Sequence, residues 1–176
     1  MHSLVHWINS VHDVPALDWM RATPLGRAMR EIPDAFPASE TAHFIGLSLL
    51  LGVMIVVDLR IIGLFRRTSY ESVLRLLPLA VVGFAINLIT GVCFIACNPY
   101  LYFTNPAFYL KLAVILIGGL NALWFTLAEH RQIAGLPNEA AAPMAARWMA
   151  GASLTLWLAA ILLGRLLPTF ASTGGG

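Results

Sequence analysis

Long apolar runs separated by short polar stretches are the main pattern of this chain. The first run begins near Glu40 and ends at Phe65, directly before two arginines. About 20 mainly apolar residues cross the hydrocarbon core of a bilayer, so this run predicts a membrane-spanning helix. Three more runs follow, at about 75–97, 105–128 and 145–167. The pattern predicts an all-α fold, a four-helix transmembrane bundle.

Prolines and polar residues mark the ends of the predicted helices. Asn98 and Pro99 end the second helix, and Pro168 is expected to end the fourth. Small residues recur every four positions within two of the helices, which predicts close approach of the helix backbones. These residues are Gly83, Asn87 and Gly91 in the second helix, and Gly151, Thr155 and Ala159 in the fourth.

The residues before the first apolar run are mixed in polarity. Four of them, Leu4, Trp7, Ile8 and Val11, follow the i, i+3, i+4, i+7 spacing of an amphipathic helix. Such a helix is expected to lie on the membrane surface. The chain is therefore predicted to comprise an interfacial segment (1–39), a four-helix transmembrane domain (40–167) and a flexible tail (168–176).

Composition excludes some partners. The chain is 59% hydrophobic and only 11% charged, whereas soluble domains average about 25% charged residues. A soluble domain is therefore excluded. The net charge of +2, without a basic stripe, also argues against binding to nucleic acid. The predicted partner is the lipid bilayer, and other membrane subunits or further copies of this chain remain open.

Arginines predict the orientation in the membrane. They occur in the first and third loops, at Arg66, Arg67, Arg75, Arg131 and Arg147, whereas the second loop, residues 98–105, has neither lysine nor arginine. Because Lys and Arg are enriched in short cytoplasmic loops, the first and third loops are expected in the cytoplasm. Both termini are then expected on the periplasmic side.

Ionisable residues inside the apolar runs are the main functional candidates, because lipid disfavours them. His43 and Asp58 lie about 60° apart around the first helix and about 22 Å apart along it, so they predict two separate polar layers. Asn121 is expected at the depth of Asp58, and Asn87 near the middle of the membrane. Asp58 is expected either to pair with an arginine or to be a protonated transport site. Arg60 is expected to face away from Asp58 and extend to the cytoplasmic boundary.

The polar layer around His43, here named the outer layer, leaves several interpretations open. His43 either bonds between helices or belongs to a haem, quinone or proton-handling site. The other histidine near a span, His130, lies at the opposite end of the third helix, which argues against a haem between these two; His6 or His12 of the first segment is the alternative second ligand. Lys111 either reaches the interface, pairs with Glu40, or binds an anionic group or a quinone oxygen.

A metal site is a weaker prediction for the same layer. Cys93 and Cys97 lie four residues apart, on one helical face. Together with His43 they offer nitrogen and sulfur ligands that suit copper or zinc. The alternative is that both cysteines are small apolar residues of the helix packing.

Several polar residues of the first and third runs form a series of motifs. In order these are Glu40-x-x-His43-x-x-Gly46, Gly52, Asp58-Leu59-Arg60-x-x-Gly63, Asn105-Pro106-x-Phe108-x-x-Lys111 and Asn121-Ala122-Leu123. The series resembles a family of small bacterial inner-membrane proteins of unknown function. Similar sequences often have a histidine after the Asn-Ala-Leu-x-Phe run, where this chain has Thr126. The resemblance implies four helices and a bacterial cytoplasmic membrane, with no settled activity.

Three classes of function remain open. The first is a membrane subunit that binds a small molecule or a redox cofactor, haem or quinone, alone or attached to a larger enzyme. Its candidate binding residues are His43, Lys111, Asp58, Asn121 and Asn87. The second class is a small transporter that uses Asp58 as a proton or cation site. The third is a structural or assembly partner; no motif dictates a reaction.

Overall fold

The computed structural model describes residues 15–172, with side chains described as far as Leu167. Its helices are α1 (Pro15–Ala22), α2 (Pro24–Glu31), α3 (Ala35–Ile62), α4 (Tyr70–Leu74), α5 (Leu77–Cys97), α6 (Pro99–Phe103), α7 (Pro106–Ala128), α8 (His130–Ala134) and α9 (Met144–Ser172). No strand occurs among the described residues, and the predicted all-α fold is confirmed. The amphipathic pattern from Leu4 to Val11 lies outside them.

Four helical segments are long and apolar enough to cross a membrane. They are Ala35–Ile62, Tyr70–Cys97, Pro106–Ala128 and Met144–Leu167. The protein is therefore a multi-pass membrane protein by the length and composition of its helices.

Three helix bounds differ from the prediction. The first spanning helix begins at Ala35, five residues before Glu40 and within the predicted interfacial segment. The first spanning helix ends at Ile62, because Gly63 follows with a φ of 118° in the left-handed region that glycine adopts readily. The last helix continues through Pro168 to Ser172, so the prediction that this proline ends the helix is wrong. Transmembrane helices tolerate proline when neighbouring groups satisfy the freed backbone.

The four long helices do not all pack on one another. Helix α3 packs against α5 and α9, and α7 packs against α9. In the part of the chain that the structure describes, α5 and α7 do not pack closely together. The bundle therefore has a gap along one side, between α5 and α7.

The contact between α3 and α5 depends on two glycines. A Cβ atom added to Gly83 would lie 2.6 Å from the backbone oxygen of Gly46 and 2.7 Å from the backbone nitrogen of Leu50. The two helix backbones therefore touch directly at this point, as predicted for Gly83. Added Cβ atoms on Gly91 and Gly151 would meet no atom within 4 Å, so these two glycines do not mark close contacts.

Arg60 joins three parts of the chain at the end of α3. Its side chain is 1% exposed, and its guanidinium lies 3.7 Å from the centre of the Tyr70 ring. Nε donates a hydrogen bond to the Thr68 carbonyl at 2.6 Å, and one terminal nitrogen donates to the Asn138 carbonyl at 2.8 Å. Arg60 therefore reaches the two loops that are predicted on the cytoplasmic side, and it is buried between them. Arg60 holds the first and third loops against α3.

The short helix α2 lies against the opposite end of the bundle, where it packs on α5. Arg30 donates hydrogen bonds to the carbonyls of Cys97 and Arg21. An added Cβ on Gly26 would lie 2.7 Å from the Ala96 carbonyl oxygen, so the approach is tight. These contacts fix the segment before α3 to the end of α5.

Candidate functional site

A cavity of about 280 Å³ lies between the four long helices. Most of its lining is apolar. The polar residues in the lining are Asp58 from α3, Asn121 and Thr126 from α7, and Ser153 and Trp157 from α9. Two apolar rings, Phe84 and Phe125, line the cavity as well. The volume is just below the range of about 300 to 1,000 Å³ of ordinary ligand pockets, so it suits a small molecule.

The cavity lies at the gap between α5 and α7. Its lining includes Val81 of α5 together with Gly119 and Thr126 of α7, all three of which are exposed on the surface of the bundle. An added Cβ on Gly119 would meet nothing within 4 Å, so space is open at this position. The cavity is therefore open at the surface of the bundle, between two helical segments that are long and apolar enough to cross a membrane.

Asp58 is the acidic residue in the described lining of this cavity. It is 4% exposed, and its Oδ2 atom has no hydrogen-bond partner in the described part of the chain. Residues 15–172 contain one ion pair, between Arg75 and Glu71 on the exposed surface. The prediction that an arginine pairs with Asp58 is therefore wrong within these residues. The neighbouring Arg60 binds loop carbonyls instead.

Two more polar atoms in the cavity wall also lack partners. They are Oγ of Ser153 and Nε1 of Trp157, both buried. Ser153 lies beside the Asp58 carboxyl, but its hydroxyl does not reach hydrogen-bond geometry. Buried polar groups in native proteins nearly always have a partner, because an unpaired one costs about 1 to 3 kcal/mol. Three of the residues that line this cavity therefore carry a polar atom without a partner in the described part of the chain.

Asn121 reaches the same cavity, as its predicted depth implied. Its Nδ2 donates a hydrogen bond of 3.0 Å to the Met149 carbonyl of α9. The side chain therefore links α7 to α9 as well as lining the cavity. The predicted inner pair, Asp58 and Asn121, is thus brought together around one space.

His43 lies outside this cavity and joins α3 to α5. Its Nδ1 lies 2.7 Å from Oγ1 of Thr90, while Thr90 donates its hydroxyl proton to the Ile86 carbonyl at 2.7 Å. A hydroxyl has one proton to donate. When that proton goes to the Ile86 carbonyl, His43 donates from Nδ1, so the direction of the His43–Thr90 bond follows the tautomer of the ring. The ring also packs against Phe94, with the centroids 5.1 Å apart.

Lys111 and the cysteines form no recognised site. Lys111 makes no ion pair among the described residues, and its Nζ lies 3.3 Å from where a Cβ on Gly164 would be. The expected pairing of Lys111 with Glu40 is therefore wrong in this structure. Cys93 and Cys97 are both free thiols. No group of three His, Cys, Asp or Glu residues within 15–172 could hold a metal ion, so the predicted ligands do not form one.

Asn87 lies apart from both sets of residues. Its amide nitrogen and oxygen are buried without partners, and it does not line the cavity. Sequence reasoning missed Ser153 and Trp157. They lie four residues apart on the last helix, so they share one face, and each carries a polar atom within an apolar run. That spacing is the signal that could have found them.

Comparisons with known protein families, curated proteins and solved structures found no match for this chain.

Proposed function

We propose that this protein binds a small lipid-soluble molecule in the cavity around Asp58. The molecule enters from the bilayer, through the gap between α5 and α7. The observation that carries the proposal is a cavity whose lining includes Asp58, Ser153 and Trp157, each with a buried polar atom that has no partner among the described residues. The location we propose is the bacterial cytoplasmic membrane, with both termini in the periplasm.

The chemistry of the cavity wall indicates which kind of molecule the cavity binds. The carboxyl of Asp58, the hydroxyl of Ser153 and the indole N–H of Trp157 form a polar patch, and most of the remaining wall is apolar. A molecule with one polar end and an apolar body satisfies both. Haem is not the occupant that we propose, since none of the described lining residues is histidine. A quinone ring or another single-ring compound is compatible with the volume.

The experiment compares two glycine variants. Gly119→Leu places a side chain in open space at the cavity, whereas Gly91→Leu places one in open space on α5 away from it. Each variant is purified in mild detergent, and bound small molecules are identified by native mass spectrometry. We expect a molecule bound to the wild type and to Gly91→Leu, and lost from Gly119→Leu. Equal occupancy in both variants, or only water in the wild-type cavity, would contradict the proposal.

A second candidate function is transport with Asp58 as a proton site. The absence of a cationic partner for Asp58 among residues 15–172 favours it. A bare carboxylate in a membrane costs at least about 2.5 to 3.5 kcal/mol, so the uncharged acid is favoured when nothing is bound. Asp58→Asn should then leave the melting temperature nearly unchanged and abolish proton-coupled flux in proteoliposomes. A strong loss of thermal stability would indicate a hidden cationic partner.

A further inference from the structure

We infer that the occupant of the cavity is a lipid-soluble organic cation, an ammonium group carrying one apolar ring. This inference rests on the proposed function and adds the charge and class of the ligand. It starts from an imbalance between acidic and basic residues in the cavity wall. Among the described lining residues Asp58 is the one that can carry a charge, and no lysine, arginine or histidine lines the space.

Beside a neutral ligand Asp58 stays the uncharged acid, whereas a cationic ligand stabilises its ionised form. A buried charge needs a partner, and the described part of the protein supplies none for Asp58. An ammonium group beside Oδ2 would supply the missing partner. Asp58 lines the cavity, and its Oδ2 has no hydrogen bond within the described residues.

The aromatic residues of the wall add a second, independent feature. Trp157 and Phe84 both line the cavity, with ring centroids 6.3 Å apart and planes at 72°. Phe125 lines it too. A cation over the face of an aromatic ring is attracted by the ring quadrupole, most strongly for tryptophan. A carboxylate together with aromatic rings is therefore a suitable wall for an ammonium group.

The apolar part of the ligand follows from the route of entry. The cavity is reached from the lipid side, past Val81 and Gly119, neither of which is polar. A small hydrated cation such as sodium is disfavoured on this apolar path. An amphiphilic ammonium compound places its apolar ring in the bilayer, and the cavity of about 280 Å³ suits one ring.

The test uses two probes that differ in charge alone. Benzyltrimethylammonium is the cation, and neopentylbenzene is its uncharged carbon isostere. Binding of each is measured by titration of wild type and Asp58→Asn in the same detergent, so that partition into the micelle cancels in the comparison. We expect the cation to bind the wild type at least about tenfold more tightly than Asp58→Asn. The isostere should bind both within about twofold.

Two further variants make the result interpretable. Asp58→Glu keeps the charge and should keep the preference for the cation, and far-UV circular dichroism confirms that each variant is folded. If the isostere binds as tightly as the cation, and Asp58→Asn changes the affinity for neither probe, the inferred ligand class is wrong. The proposal that the cavity binds a small molecule is then retained. If neither probe binds, and Gly119→Leu does not change the amount of bound molecule found by native mass spectrometry, both the proposed function and this inference are wrong.

Discussion

The close contact between α3 and α5 gives a quantitative prediction for Gly83→Ala. The added Cβ would lie 2.6 Å from the Gly46 oxygen, while ordinary contact begins at 3.4 Å. The helices must therefore separate locally by up to about 0.8 Å, and both atoms in the way, on Gly46 and Leu50, belong to the backbone. Overpacking of this kind costs about 1 to 3 kcal/mol. Replacing glycine by alanine also stabilises the helix by about 1 kcal/mol, because alanine has the higher helix propensity.

We therefore expect Gly83→Ala to lower the free energy of unfolding by about 2 kcal/mol, using the upper end of that range because backbone atoms cannot rotate away. Gly91→Ala is the matched control on the same helix, since its Cβ meets nothing within 4 Å. It should be neutral or stabilising by up to about 1 kcal/mol. Unfolding by SDS in mixed micelles, followed by circular dichroism, measures both. Equal stability of the two variants would refute the direct backbone contact.

Three other changes test the remaining contacts. Arg60→Leu removes two charge-assisted hydrogen bonds and should lower the free energy of unfolding by about 3 kcal/mol. Arg75→Leu removes one exposed ion pair and should lower it by less than about 1 kcal/mol. Unfolding by SDS in mixed micelles compares the two variants. Asn121→Leu should cost about 0.6 to 1.7 kcal/mol in the same assay. For orientation, an impermeant maleimide applied from the periplasm should label Cys97 more than Ser69→Cys, and the reverse would invert the predicted topology.

The sequence was sufficient for the spanning helices and for part of the cavity. Apolar runs of bilayer length are themselves the cause of spanning helices, so the pattern and the structure agree. Asp58 and Asn121 could be placed at one depth by counting residues, because the rise per residue in a helix is constant. Both do line one cavity.

Other features depend on how the helices meet, which periodicity does not specify. Arg60 bonds to loop carbonyls, and backbone acceptors leave no mark in a pattern of side chains. The expected ion pair between Asp58 and an arginine of another helix is likewise lacking among the described residues. Ser153 and Trp157 were missed for a related reason, since their polar atoms matter only because α5 and α7 stay apart.

The central claim is that a lipid-soluble molecule occupies the cavity, and Trp157 can report on it directly because it lines the wall. A variant that keeps Trp157 as its single tryptophan is made by changing the others to phenylalanine. Those others are Trp7, Trp19, Trp124 and Trp148. Bromobenzene, a small lipid-soluble quencher, is then titrated into proteoliposomes while the fluorescence of Trp157 is recorded.

Our account predicts that the quenching of Trp157 saturates, because the cavity holds a limited amount of the quencher. Adding Gly119→Leu to this variant should abolish the saturable part, and adding Gly91→Leu should preserve it. Quenching that rises linearly with bromobenzene, and to the same extent in both glycine variants, would mean that Trp157 senses only the surrounding lipid and would contradict a binding cavity.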